Sequence, residues 1–262
     1  MGFAADWLTL REPADRAARD EALLHRAVEL AGPDPVVMDL GCGTGSTVRT
    51  MAPLLPPSTA WRLVDNDESL LELAQSAAGS DASTHLIDIT SVSSLPLEGV
   101  TLVTASALLD LVTEAWLTEF AATLTVPFYA ALTYDGQMTW DPADPEDERI
   151  TDAFNRHQRG DKGLGAALGP LAGAATQAVL SAAGWSVMTA PSVWNLGADL
   201  QELHRELVRG IGTAADEAGA VGATEWRERR IAAAATSSCN IGHVDLLAIP
   251  PGFTDGGGRG HH

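Results

Sequence analysis

The sequence predicts a doubly wound α/β fold, a mostly parallel sheet with helices on both faces. Three observations predict it. Short apolar runs suited to strands recur between segments whose apolar residues fall at helical spacing. The first run, VVMDL, leads into glycines at every second position, Gly41, Gly43 and Gly45, and then into a helical segment. The next two runs, WRLVD and THLID, each close on an acid. Strands and helices alternating in this way imply a parallel sheet covered on both sides.

Taken in order, residues 12–31 carry Leu24, Ala27, Val28 and Ala31 at helical spacing and stop at Gly32-Pro33, which places a helix ahead of the first strand. After VVMDL comes a helix with Val48, Met51, Ala52 and Leu55 on one face, then the strand WRLVD. Asp67 can cap a second helix bearing the stripe Leu70, Leu73, Ala74 and Ala77, and THLID follows as the third strand. VTLVTAS reads as the fourth. Thr113 can cap a helix with Leu117, Phe120, Ala121 and Leu124 inward, and PFYAALTY is the fifth strand. Beyond Tyr134 the regularity lapses through DGQMTWDPADPEDERITDAFNRHQRGDKG, a length uncommon for a structureless connection. Helical spacing resumes at Ala175, Ala178, Val179 and Ala182 and stops at Gly184, and WSVMTAPSVW reads as the sixth strand. Helical segments at 199–210 and 223–236 precede the last strand, HVDLLAI. Residues 1–250 read as one domain whose first part, 1–33, is a helical segment, and 251–262 reads as a flexible tail.

Composition narrows the function. The chain has 262 residues, 45% of them hydrophobic, enough for one large core. Its formal net charge of −19 repels phosphate backbones and anionic lipid, so neither nucleic acid nor a membrane surface is expected as a partner. No apolar stretch reaches the roughly 18 residues of a spanning helix, and MGFAADWLTLREPADR lacks a basic start followed by a continuous apolar run; the expectation is a cytoplasmic protein. Two cysteines, Cys42 and Cys239, make neither a disulfide framework nor a zinc cluster.

The glycine turn points to a ligand. A strand that ends in such a turn and runs into a helix exposes backbone N–H groups and a helix N-terminus. Three details select among ligands. The nicotinamide and flavin fingerprint is G-x-G-x-x-G/A, whereas here position 46 is Ser and the third glycine comes one residue early. Asp39, two residues before the first glycine, repels a pyrophosphate and attracts an ammonium or a sulfonium. Asp65 closes the second strand, where a carboxylate can accept both hydroxyls of an adenosine ribose. The ligand these features suit is an adenosine carrying a cationic amino-acid tail, and a nicotinamide oxidoreductase is disfavoured.

VVMDLGCGTG, LVDND and LIDIT together resemble motifs I, II and III of the class I S-adenosylmethionine-dependent methyltransferases, and the resemblance covers residues 35 to 134. It implies a seven-stranded sheet with the last strand antiparallel, and S-adenosylmethionine as cofactor. It implies Gly41, Gly43 and Gly45 under the methionine part with Asp39 near its amino group, Asp65 on the ribose, and Asn66 beside the adenine. Asp88 and Ile89 would meet the adenine edge, Ala105 and Ser106 would flank the methionine part, and Arg11 would reach the cofactor carboxylate. The reaction implied is in-line methyl transfer to a small-molecule acceptor, leaving S-adenosylhomocysteine. The alternative is a non-catalytic S-adenosylmethionine-binding sensor or partner subunit.

In such sheets ligands lie beyond the carboxyl ends of the strands, so the segments after strands five and six, 135–163 and 195–238, are expected to form a helical lid over the methyl group. Substrate candidates there are Trp140 and His157, with Asp110, in SALLDLV, at the start of the connection after the fourth strand. His157, in the polar, glycine-flanked RHQRGDK, is also the candidate general base. No metal is expected, because the histidines lack a ligand spacing such as H-x-x-x-H. The acceptor's identity, the atom methylated and the oligomeric state are not legible.

Overall fold

The computed structural model describes residues 5–163 and 165–254; most of the expected tail lies outside the described residues. Two helices precede the sheet where one was expected, α1 (Ala5–Ala18) and α2 (Glu21–Leu30). The break falls where the Asp20 carboxylate caps α2, accepting the Leu23 N–H at 2.8 Å. The alternating core follows as β1 (Val36–Leu40), α3 (Ser46–Met51), β2 (Ala60–Asp65), α4 (Glu68–Ala78), β3 (Ser83–Leu86), β4 (Leu102–Ser106), α5 (Glu114–Thr123) and β5 (Phe128–Asp141). Asp67 and Thr113 cap α4 and α5 as expected.

The second half comprises α6 (Asp147–Gln158), α7 (Ala172–Ala182), β6 (Ser186–Pro191), β7 (Trp194–Leu196), α8 (Gln201–Glu217), α9 (Ala223–Ala233) and β8 (Ser238–Ile249). The strand order is β3-β2-β1-β4-β5-β8-β6, with the short β7 also on β8. From β3 to β5 all neighbours are parallel, and β8 runs antiparallel to both β5 and β6. The seven expected strands are all present; the eighth arises because the sixth run breaks before Trp194, where the Ser192 N–H donates to the His243 carbonyl at 2.8 Å.

Alternation along the strands feeds a core on each face. Val37, Leu63, Leu102 and Tyr129 pack with residues of α1 to α4, while Met38, Val64, Val103 and Phe128 pack under α5 and α7. The same pattern continues where the sequence looked irregular. β5 runs on to Asp141, paired with β8 down to Ser238, through register shifts at Ala130/Thr133 and Tyr134/Met138. The first shift is held by Asp245, whose buried carboxylate accepts the Leu132 N–H at 2.8 Å and the Tyr129 hydroxyl at 3.0 Å. The polar stretch Asp135-Gly136-Gln137 lies in the second shift, which is why period-two alternation ended at Tyr134.

Around this extension, to which β7 adds a third strand, α6, α8 and α9 pack as a helical unit. Trp226 is fully buried against Trp140, ring centroids 5.4 Å apart, and donates its Nε1–H to Asp147 at 2.8 Å. Arg230 is 4% exposed, pairs with the same Asp147 and stacks over Trp140. No helix among the described residues is long and apolar enough to cross a membrane.

Candidate functional site

The strand order reverses between β1 and β4, and a cavity opens there beyond the carboxyl ends of β1, β2 and β4. The turn from Gly41 to Thr44 forms one wall. Asp65 and Asn66 after β2 and Ile87 to Thr90 after β3 form the second; Ser106 to Leu108 and Leu111 after β4 form the third. Leu8, Arg11 and Asp15 of α1 also line it, as do Lys162 and Gly163 of the loop after α6.

Backbone geometry explains the glycines. Gly41, Gly43 and Gly45 all have positive φ, at 60°, 53° and 84°. A Cβ on Gly43 would come within 3.1 Å of Leu8, so its bare Cα lets α1 close against the turn. Gly45 differs from expectation. A Cβ there would meet Ala74 and Ala77 of α4 at 3.1–3.2 Å, so this glycine serves helix packing and does not line the cavity.

Asp65 organises the turn. Its carboxylate accepts the Gly43 N–H at 2.9 Å, the Asn66 N–H at 2.8 Å and the Asp67 N–H at 3.1 Å, and it still faces the cavity. Burial pushes its pKa up, opposed by those backbone donors. Asp39 sits beneath, 1% exposed and off the lining, accepting the Thr104 hydroxyl at 2.7 Å on one oxygen while the other has no hydrogen-bond partner. Burial raises its pKa to about 7, with Thr104 and Arg19 opposing. Arg19, 5% exposed, donates to the Ser106 hydroxyl at 3.0 Å and leaves Nε and Nη1 without hydrogen-bond partners.

Of the other expected cofactor residues, Arg11, Asn66, Asp88, Ile89 and Ser106 line the cavity, while Ala105 is buried behind it and Ala107 takes its place. Asp88 accepts the Thr90 N–H at 3.0 Å, and the Ile89 carbonyl is fixed by Trp116 Nε1–H at 2.6 Å. Arg11 is held by Asp15 through Nε at 2.9 Å and Nη2 at 3.1 Å, and lies 4.9 Å from the Trp194 ring centre. Trp194 Nε1–H also donates to Asp15, at 3.0 Å. Cys42 lines the cavity too, but burial drives its thiol pKa far up, so it is not a thiolate nucleophile.

The substrate expectations fare differently. Trp140 is packed between Trp226, His204 and Arg230 in the helical unit, away from the cavity. His157 lies on α6 and pairs with Glu217 of α8 at 2.9 Å, also outside the cavity, so it is not placed to take a proton from an acceptor there. Of 135–163 only Lys162 and Gly163 reach the lining, and nothing of 195–238 does; the expected lid is mainly scaffold around the β5–β8 extension. Asp110 stands just behind Leu108 and Leu111, with Oδ1 buried and unpartnered; burial raises its pKa, and Arg11 and Lys162 oppose. Among the described residues no group of three or more His, Cys, Asp or Glu is gathered as metal ligands.

Sequence reasoning missed Leu8, Asp15 and Lys162. Leu8, Arg11 and Asp15 fall at helical spacing, a signal hidden because the helix was begun at residue 12.

The sequence of residues 37–126 matches the family model described as a methyltransferase domain. These residues form a methyltransferase domain. The match begins in β1 and ends just before β5, so it contains the glycine turn and the ends of β2, β3 and β4. No curated protein matches the chain in sequence. Among solved structures, one assigned as a methyltransferase from Bacillus halodurans C-125 superposes with a TM-score of 0.54 at 13% identity, covering 87% of this chain and 97% of that one. The cyclopropane synthase MmaA2 from Mycobacterium tuberculosis gives 0.51 at 14% identity, covering 94% of each. At these identities the likeness carries the fold, a Rossmann-like sheet with helices on both sides. The domain match over residues 37–126 and the shared fold together support a methyltransferase.

Proposed function

We propose that the cavity binds S-adenosylmethionine along the ends of β1, β2 and β3, and that a small acceptor enters beside it, between α1 and the loop bearing Lys162. When bound, the cofactor supplies an activated sulfonium methyl, so the chain need only align an oxygen, nitrogen or carbon nucleophile and exclude water. The observation that carries this reading is one continuous cavity running from Gly41–Thr44 past Asp65–Asn66 to Asp88–Ile89, with Ser106 opposite.

Residue roles follow from position. The N–H groups of the glycine turn and the carboxylate of Asp65 offer complementary partners for the amino-acid and ribose parts. Asp39 and Arg19, buried beneath with atoms lacking partners, contribute field of opposite signs at the methionine end. Ile89 and Leu70 supply apolar contact for the adenine, and Asp88 flanks its edge. The working domain in this reading extends to residue 250, because β8, at the middle of the sheet's second half, holds Asp245 under β5. α1 and the Lys162 loop both wall the cavity, which suits a small acceptor better than a polymer.

Titration calorimetry tests the cofactor half. Asp65→Asn should weaken S-adenosylhomocysteine by about 1.5–3 kcal/mol, the range for hydrogen bonds to a charged group. A variant that keeps its melting temperature and its full affinity would remove Asp65 from the binding site.

A further inference from the structure

Lys162 is the only lysine in the sequence, and it stands at the cavity. Its placement is built. The Asp161 carboxylate accepts the Gly163 N–H at 2.7 Å and the Gly165 N–H at 3.0 Å, and Asp161 bridges to Ala166. Beyond the bridge, the Leu168 N–H donates to the Val112 carbonyl at 2.9 Å, docking the loop onto the connection that follows β4. A surface lysine needs no such support; this one follows the Asp161 anchor into a cavity that Leu108 and Leu111 also line.

Charge at that end of the cavity is one-sided. Arg11 is neutralised by Asp15, which takes two of its donors. Lys162 has no ion-pair partner within 4 Å among the described residues, and its field acts on Asp110, whose Oδ1 is buried. Of the carboxylates that line the cavity, Asp15 is engaged by Arg11 and Trp194, and Asp65 and Asp88 follow β2 and β3. A chain with a net charge of −19 therefore presents an unpaired cation in a cavity that Leu108 and Leu111 also line.

From this we infer that the methyl acceptor is a small molecule with an anionic group, carboxylate or phosphate, that Lys162 receives, and an apolar portion that rests on Leu108 and Leu111. The inference rests on the methyl-transfer reading above and specifies its acceptor. An ammonium is a point charge without the fork geometry of a guanidinium, so it suits either anion and leaves the apolar contacts to set orientation. The same chemistry has a second source, the carboxylate of the cofactor itself, and the test must separate the two.

Because Lys162 is the sole lysine, amine chemistry reads this site directly. The protein is reductively methylated with formaldehyde and cyanoborohydride in the presence of benzoate or of neutral benzamide. Nα-acetyllysine methylamide is present as internal competitor, and peptide mass gives labelling at Lys162. An ammonium that receives an anion is less available as the free amine that attacks formaldehyde. Benzoate should therefore slow labelling of Lys162 at least fivefold more than benzamide does, relative to the competitor, and should keep that protection with S-adenosylhomocysteine saturating. Equal labelling with benzoate and benzamide overturns the inference. So does a protection that S-adenosylhomocysteine replaces, since Lys162 then serves the cofactor's carboxylate. Calorimetry on the same sample separates the readings: if S-adenosylhomocysteine does not bind, the cofactor reading fails, while labelling without it still reports whether the site favours an anion.

Discussion

At the scale of single residues, Asp39 carries the clearest pH consequence. Its folded-state pKa, raised by burial to about 7 from an ordinary 3.8, means that between those values the folded chain holds a proton that the unfolded chain has released. Stability from this group is therefore present at low pH and declines as pH rises from about 4 to 7. Asn has no proton to lose, and its side-chain oxygen can still accept from Thr104. Asp39→Asn should gain stability over the parent chain across that window, with the difference in urea midpoint levelling off above about pH 7. A constant difference from pH 4 to 8 would show that Asp39 is ionised throughout. His243 acts in the other direction: burial lowers its pKa to about 3, so its neutral form favours the folded state at neutral pH and the benefit is lost as pH falls below about 6.5.

At the scale of elements, the α6–α8–α9 unit is scaffold, and its chemistry says how much. Trp226 fills the space between these helices and Trp140, and Asp147 serves both its indole N–H and Arg230. Trp226→Ala should cost about 3–5 kcal/mol in denaturant unfolding, the usual range for a buried aromatic truncated to alanine. Because the unit contributes nothing to the cavity lining except through the loop after α6, S-adenosylhomocysteine affinity in native buffer should stay within about threefold. A larger loss of binding would mean that the unit shapes the cofactor site after all. The same unit marks the limit of what the sequence discloses. Strand ends and turns with their own local signals, such as the glycine run and the capping residues Asp67 and Thr113, were legible. The β5–β8 extension was not, because Asp135-Gly136-Gln137 breaks the alternation and the pairing that holds it comes from a strand a hundred residues away. Trp140 was misplaced for the same reason, since chain position near a sheet edge does not say which side of a long-range ladder a side chain will occupy; His157 was misplaced because the packing of α6 on α8 turns it to Glu217. The α1 wall was lost to a helix start set too late, although Leu8, Arg11 and Asp15 carried its spacing.

At the scale of the whole molecule, the net charge of −19 bears on the reaction it carries. S-adenosylmethionine has a net charge of about +1 at neutral pH, from sulfonium, ammonium and carboxylate; loss of the methyl removes the sulfonium and leaves a neutral product. A strongly negative protein attracts the first and is indifferent to the second. The field therefore favours exchange of spent cofactor for fresh, beyond anything the cavity contacts supply. Such long-range attraction is screened once the Debye length, about 10 Å at 0.1 M salt, becomes short against the size of the molecule. Raising sodium chloride from 20 to 500 mM should weaken S-adenosylmethionine severalfold, chiefly through a slower association rate, and leave S-adenosylhomocysteine nearly unchanged. Stopped-flow binding of the two ligands at both salts gives the comparison. Equal salt dependence would show that discrimination between cofactor and product lies wholly in contacts beside the sulfur, and that the acidic surface contributes nothing to turnover.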